Sequence, residues 1–477
     1  MTPRTEARPA GVPSGVSRDK ESSRLSLATL RIVPRENGGP ARPTEWTVSN
    51  LLSDVSISNA GNDLLIPPGP PLTLASLEQL AIANNPTLQQ AVAVLDKARG
   101  IREQVGLSPN PIIGYSGEEI GNEGHGGQQG GFVSQTIVTG HKLRLNRAVA
   151  GWDVQSLTWE YEAQRYRVRN DVQAGFYAVL GAQRRVRLAD DLLEVAQQGV
   201  RVAEELLRAQ QGTRPDILQA KVQLNRVRII RQNARYDYQA SWNQLVSLVG
   251  VPDLTPAPLL GNLERDLETR DWDTLFANLL ANSPELQAAQ MRVQRGRSQI
   301  RRQAVQPIPN LFTQVGVAHD TATGSTITGV QVGIPLPLFN RNQGNRDFAY
   351  AEYRRAVSDV ERLQLALRHR LATAFRDYGQ ARQQVERYKM DILPTARENL
   401  DLTEEGYKQG EFDFIRVLTA RRTFFETNLN YVDSLVALQQ SNVALSGLLL
   451  SGGLNDVRDI SKGAGGIRNR GRALNGR

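Results

Sequence analysis

At 477 residues the chain is long enough for three average domains, yet it contains no cysteine, which excludes disulfides, thiolate metal sites and a cysteine nucleophile. Its net charge of +8 comes from 57 basic and 49 acidic residues interleaved along helical patterns, so it reads as solvated helix faces. No RNA-recognition, zinc-finger or helix-turn-helix pattern points to nucleic acid, and no long uncharged apolar window marks a transmembrane helix, although β-barrel strands would leave hydropathy nearly unmarked.

Residues 1–72 are rich in Pro, Gly, Ser and Arg and read as disordered. They show no signal-peptide pattern, because "SSRLSLATLRIVPRENGG" breaks its apolar residues with arginines. A helix over Ser76–Val105 follows, interrupted near its start by Asn-Asn-Pro, and Pro109 and Pro111 stop it and begin an extended run. Two short strands are expected over Ile112–Glu119 and Phe132–Thr139. Leu143–Gln210 then runs without proline, and a helix of that length would span roughly 100 Å. Gly212 ends this rod, and a returning helix covers Asp216–Leu248.

The same series then starts again. A helix over Trp272–Val305 is broken at Asn-Ser-Pro and stopped at Pro307 and Pro309, and strands follow over Leu311–His319 and Thr326–Leu336. In the second strand Val330, Val332, Ile334 and Leu336 fall on one face, with Gly329, Gln331 and Gly333 on the other. A second rod covers Asn345–Lys408 with a kink expected at Pro394, Gly410 ends it, and a helix returns over Phe414–Leu450. The basic tail from Ser461 reads as a disordered end.

The halves align in sequence as well as in plan. "NNPTLQQA" from Asn84 falls on "NSPELQAA" from Asn282, an offset of 198 that also lays Pro109 and Pro111 on Pro307 and Pro309. At an offset of 199, Asn146 and Arg147 meet Asn345 and Arg346; at 200, "DILQA" from Asp216 meets "RVLTA" from Arg416. The chain therefore divides into a segment 1–72, tandem repeats 73–271 and 272–452, and a tail 453–477. The fold class is mainly α with a small β part, each repeat being helix, β-hairpin, very long helix and helix. Four short strands cannot close a barrel and would leave open edges, whereas three copies would supply twelve strands.

That order of "PNP", hairpin, rod and "G…DILQA", given twice, resembles the TolC-type outer-membrane efflux family over about residues 73–452, and "IPLPLFNRNQGN" is similar to its heavy-metal-cation subgroup. The resemblance implies a homotrimer whose twelve-stranded β-barrel sits in outer-membrane lipid above an α-helical periplasmic tunnel. It also implies work with a periplasmic adaptor and an inner-membrane pump of the RND type, without a cofactor or enzyme chemistry. In such a frame Pro335 and Pro337 end strand pairing, and Phe339, Asn340, Gly344 and Asn345 make the elbow from strand to helix, with Gly140 and Asn146 in the first half. The family's gate maps by position to the tip turns Gly212, Thr213, Arg214, Pro215 and Asp216, and Gly410, Glu411, Phe412 and Asp413. Multidrug export and protein secretion remain alternatives to metal export, and a soluble coiled-coil scaffold is the rival from another class.

Other features have plainer readings. His125, His141, His319 and His369 never pair at ligand spacing, so packing explains them better than a metal site. Glu118 and Glu119 sit beside a glycine-rich hairpin with no base or oxyanion feature, which fits a solvated loop rather than catalysis. Trp152, Trp159, Tyr161 and Tyr166 fit either an interfacial belt or packing between rods.

Overall fold

The computed structural model describes residues 71–210, 212–265 and 269–457. The expected disorder of the N-terminal segment and of the tail beyond 457 lies outside these residues. In chain order the elements are β1 (Leu72–Thr73), α1 (Leu74–Asn84), α2 (Pro86–Gln104), β2 (Ile112–Glu118), β3 (Gln128–Ile137), α3 (Lys142–Arg208) and α4 (Arg214–Val249). Then come β4 (Leu259–Leu260), α5 (Trp272–Asn282), α6 (Pro284–Ala304), β5 (Leu311–Asp320), β6 (Thr326–Gly333), α7 (Gln343–Arg387), α8 (Leu393–Lys408) and α9 (Phe414–Ser446). The protein is mainly helical with a small β part, and β1 pairs in parallel with β4.

The opening helix of each half breaks where a proline stands. Asn85 and Ser283, each preceding a proline, take extended backbone, which leaves their side chains free to cap the next helix. Asn85 Oδ1 accepts from Thr87 N–H at 3.0 Å, and Ser283 Oγ from Leu286 N–H at 3.4 Å. Proline at the first helical position costs nothing there, because that amide has no intrahelical partner.

Each rod buries an apolar stripe against its own half. On α3, Val168, Val172, Phe176 and Val179 pack with Leu77 of α1 and Trp242, Leu245 and Val249 of α4. On α7, Leu367, Leu371, Tyr378 and Val385 pack with Val432, Leu435 and Leu438 of α9. Helices this long draw their stability from such stripes rather than from propensity. With 67 residues, α3 extends about 100 Å.

The second rod differs in one detail. Rather than a simple kink at Pro394, a π-helical turn over Tyr388–Ile392 separates α7 from α8. A π turn accommodates one extra residue without ending the helix. That single residue accounts for the change in repeat offset from 199 at Asn345 to 200 at Arg416.

Beyond α9 the chain is held by α3 as far as Gly453. Asn170 Nδ2 donates to the carbonyls of Gly447 and Leu450, both at 2.7 Å, around Leu448 and Leu449, whose φ of 58° is left-handed. Asp171 Oδ2 accepts from the Gly452 and Gly453 amides at 3.0 and 2.6 Å. Burial pushes the Asp171 carboxyl up, and the two amides oppose that push. A side chain on Gly447 would collide with Asn170, so the strap requires glycine there.

Candidate functional site

The four longer strands form one antiparallel sheet in the order β2-β3-β5-β6. The two hairpins meet at its centre, where Val133 faces Val315 and Ile137 faces Leu311. Strands β2 and β6 are left with open edges. Cross-strand partners share a face, so Ile113, Tyr115, Val133, Val315, Val317, Val330 and Val332 form one apolar band. These residues are all exposed, Ile113 at 81% and Val330 at 70%. Between them lies the other face, with Ser116, Glu118, Gln128, Gln314, Gln331 and several glycines. The Phe132 ring lies across that face, so close to Gly114 that a side chain there would strike it. A sheet apolar on one face and polar on the other, with both edges unsatisfied, has the pattern of a membrane barrel wall.

Below the sheet, both elbows close on the carboxyl end of α6. Gly140 and His141 turn the chain with φ of 64° and 54°, and Ile308 packs against Gly140. Lys142, buried at the first position of α3, donates through Nζ to Asn310 Oδ1 at 2.7 Å and to the Ile308 carbonyl. Burial and then the neighbouring Arg302 charge hold its pKa below the usual lysine range. The cation here meets the loop that leads from α6 into β5.

In the second elbow Asn342, not Gly344, supplies the left-handed turn, with φ of 61°. Gly344 is inside α7, where any residue fits. Asn340 Oδ1 accepts from the Asn342 amide at 3.1 Å, and Asn345 Nδ2 donates to Asn342 Oδ1 at 2.6 Å. Asn342 itself donates to the Gln303 carbonyl and side chain at 2.9 and 2.8 Å. Strand β6 ends at Gly333, short of the expected Leu336, since Pro335 and Pro337 cannot donate to a ladder. Ile334, Leu336, Leu338 and Phe339 stand exposed, Phe339 at 92%.

At the opposite ends of the rods the two tip turns face each other across one open cleft of about 640 Å³. It brings together Gly212, Asp216, Gly410, Phe412 and Asp413 with Tyr407 and Ile415, while Thr213, Arg214, Pro215 and Glu411 lie outside its lining. Asp216 and Asp413 have local tasks. The Asp216 carboxylate accepts from the Thr213 hydroxyl and amide at 2.6 and 2.9 Å, which holds its pKa below the usual range. Asp413 caps α9 through the Arg416 amide at 2.9 Å. Burial and then the nearby Asp216 charge push the Tyr407 hydroxyl up, and both residues line the cleft.

The turns close differently from the expectation that glycine ends both. Gly410 is left-handed at φ 78°, but in the first turn that conformation belongs to Gln210 at φ 57°. The Gly212 amide instead bonds back to the Leu206 carbonyl at 3.1 Å. Phe412 packs against Gly406 while the Arg416 guanidinium lies 4.4 Å from the centre of its ring.

A ladder of polar pairs joins the halves. Along α3, Asn146, Asp153, Glu160 and Arg167 recur every seven residues and meet Arg302, Arg295, Arg292 and Glu285 of the antiparallel α6. Arg295 Nε lies 2.6 Å from Asp153, and Glu285 is held between Arg167 and Arg370, each at 2.6 Å. Burial opposes ionisation of Glu285, but Arg370 and Arg167 outweigh it and keep its carboxyl below the usual range. At Asp153 burial wins over Arg295 and the carboxyl is pushed up. The seven-residue spacing of these side chains on α3 was the available signal for this seam.

Among the described residues no group of three His, Asp or Glu could hold a metal ion, and no helix is long and apolar enough to cross a membrane. The sheet carries an exposed apolar band across its four strands. The sequence model of the outer membrane efflux protein family matches the chain twice, over residues 77–251 and 275–449.

The chain belongs to the outer membrane efflux protein family.

Its place is therefore the outer membrane, with the helical rods extending into the periplasm, in a family of channel proteins rather than enzymes. Cobalt-zinc-cadmium resistance protein CzcC of Cupriavidus metallidurans is 26% identical over 379 residues, covering 80% of this chain and 90% of that one. Among solved structures, CusC matches with a TM-score of 0.67 at 19% identity, over 80% of this chain and 92% of that one. VceC of Vibrio cholerae matches with a TM-score of 0.64 at 18% identity, over 79% and 96%. At those identities the structural likeness speaks for the fold.

Proposed function

We propose that this efflux channel is the passive outer-membrane exit duct for heavy-metal cations, built from three copies of the chain and opened at its tip. The observation that carries the reading is the four-stranded sheet with two faces and two open edges. Three such sheets make a twelve-stranded wall, with the glutamine and glycine face lining water and the valine face meeting lipid. The similarity to a cobalt-zinc-cadmium resistance protein supports the cargo class. No resident metal site is required, because a duct passes ions that a pump has already selected. An inner-membrane pump of the RND type and a periplasmic adaptor complete the system in this reading.

Deleting the gene should sensitise cells to cobalt, zinc or cadmium salts, with resistance restored by the plasmid-borne gene. Unchanged metal tolerance together with new sensitivity to organic drugs would move the cargo to the multidrug class.

The adaptor would dock on the tip turns and separate the helix pairs around the cleft that Tyr407 and Asp216 line. Arg214 and Glu411 stand beside the shared cleft and do not cap a helix, so they test docking more cleanly than Asp413. The double variant Arg214→Glu, Glu411→Lys should lose metal resistance while its outer-membrane level and assembly stay normal. Full resistance in that variant would place docking elsewhere.

A further inference from the structure

The seam between α3 and α6 has a counterpart that a single chain leaves unfilled. In one protomer α2 packs on α3, α3 on α6, and α6 on α7, but no comparable contact joins α7 to α2. Because the two halves repeat one plan, α7 stands to a neighbouring copy's α2 as α3 stands to α6. We propose that copies of this chain join through an α7 to α2 seam in which Glu352 of one copy pairs with Lys97 of the next. This rests on the reading that several copies close the wall, and names the residues that do so.

The correspondence is residue by residue. At the offset of 199 that aligns the rods, Asn146, Asp153, Glu160 and Arg167 become Asn345, Glu352, Asp359 and Ala366. At the offset of 198 that aligns the opening helices, Arg302, Arg295, Arg292 and Glu285 become Gln104, Lys97, Val94 and Thr87. The Asp153 and Arg295 ion pair thus becomes Glu352 and Lys97, again an acid on the rod and a base on the opening helix. Asn345 falls opposite Gln104. The other two rungs lose their charge pairing, so the seam between copies keeps one ionic rung where the internal seam has three.

The equivalence holds where it can be checked inside one chain. Gly296 of α6 packs on Tyr353 of α7, and their counterparts Ala98 and Val154 share a hydrophobic cluster between α2 and α3. Exposure also differs as an unfilled seam requires. Val149 on α3 is 8% exposed, whereas its counterpart Phe348 on α7 is 62% exposed. Arg295 is partly covered and Lys97 is exposed, although Lys97 already interacts within its own chain. Among the described residues Glu352 forms an ion pair only with the exposed Arg355 three residues on, at 3.3 Å, a surface pair too weak to hold it from a better partner. At the elbow Arg341 takes the place of Lys142 and is exposed, positioned for the carbonyl end of the neighbour's α2.

The absence of cysteine makes the test direct. With Lys97→Cys and Glu352→Cys in one chain, a short bismaleimide should link detergent-solubilised protein into species of two and three chains on a denaturing gel. The control Asp153→Cys with Arg295→Cys should link within single chains and stay at monomer mass. Lys97→Glu should lower the assembled fraction several-fold, and adding Glu352→Lys should restore it. Assembly of normal mass without linkage at 97 and 352, or without rescue by the charge swap, overturns the seam and leaves the assembly reading intact. A single-chain mass for the unmodified protein overturns that reading itself.

Discussion

Arginine at Val315 should cost about 2–4 kcal/mol, enough to abolish stable insertion into the outer membrane, whereas arginine at the adjacent Gln314 should leave insertion unchanged. The two positions are neighbours on the central strand β5 and differ in face. Val315 pairs with Val133 and Val330 on the apolar band, and Gln314 pairs with Ser134 and Gln331 on the polar side. In lipid a guanidinium has no partner to replace water, while in an aqueous lumen it keeps its hydration. Outer-membrane fractionation of both variants measures the difference, and equal behaviour would mean that the faces are wrongly assigned.

Glu285→Gln should destabilise the protein by about 2–3 kcal/mol, somewhat below the loss at a fully buried pair because both arginines retain some water. The substitution leaves Arg167 and Arg370 facing each other across a neutral amide, at the point where α3, α6 and α7 meet. The pH dependence follows from the direction of the shift. A carboxyl held below its unfolded pKa stabilises the fold at every pH above that unfolded value, and the contribution fades as pH falls through the lower folded value. The gap between wild type and variant should be full at neutral pH and shrink below about pH 4. Thermal unfolding in detergent at pH 7 and pH 3.5 checks this, and a gap that widened in acid would contradict the assignment.

Much of the fold could be read from the sequence because its punctuation is strong. Pro86, Pro284, Pro109 and Pro307 mark breaks that no packing can override, and the long proline-free run from Leu143 left little choice but a rod. The alternation in β6 separates Val330 and Val332 from Gly329 and Gln331 in the sequence, and the strand pairing keeps them on opposite faces. Turn chemistry was harder to read. Gly344 was the natural choice for a left-handed turn, yet Asn342 adopts it because its side chain gains two bonds to Gln303 there. In the first tip turn Gln210 does the same beside a glycine that keeps ordinary backbone. The kink at Pro394 became a π turn just before it, and only the one-residue change in repeat offset hinted at this.

The internal ladder was hidden by its own composition. In the sequence interleaved charges look like solvated helix faces, and for Arg99 with Asp96 or Arg387 with Asp391 that is what the structure contains. Asp153, Glu160 and Glu285 look the same along the chain but are mostly covered, because an antiparallel helix from the other half supplies their partners. Sequence spacing indicates which residues share a helix face, and the partner helix emerges only from the tertiary arrangement.

The measurement that bears most directly on the wall is single-particle imaging of the detergent-solubilised protein viewed along its long axis. A closed ring with threefold symmetry around an open centre is the predicted projection, its sheet edges joined copy to copy. Particles the size of one chain, with no symmetry and no central opening, would contradict it.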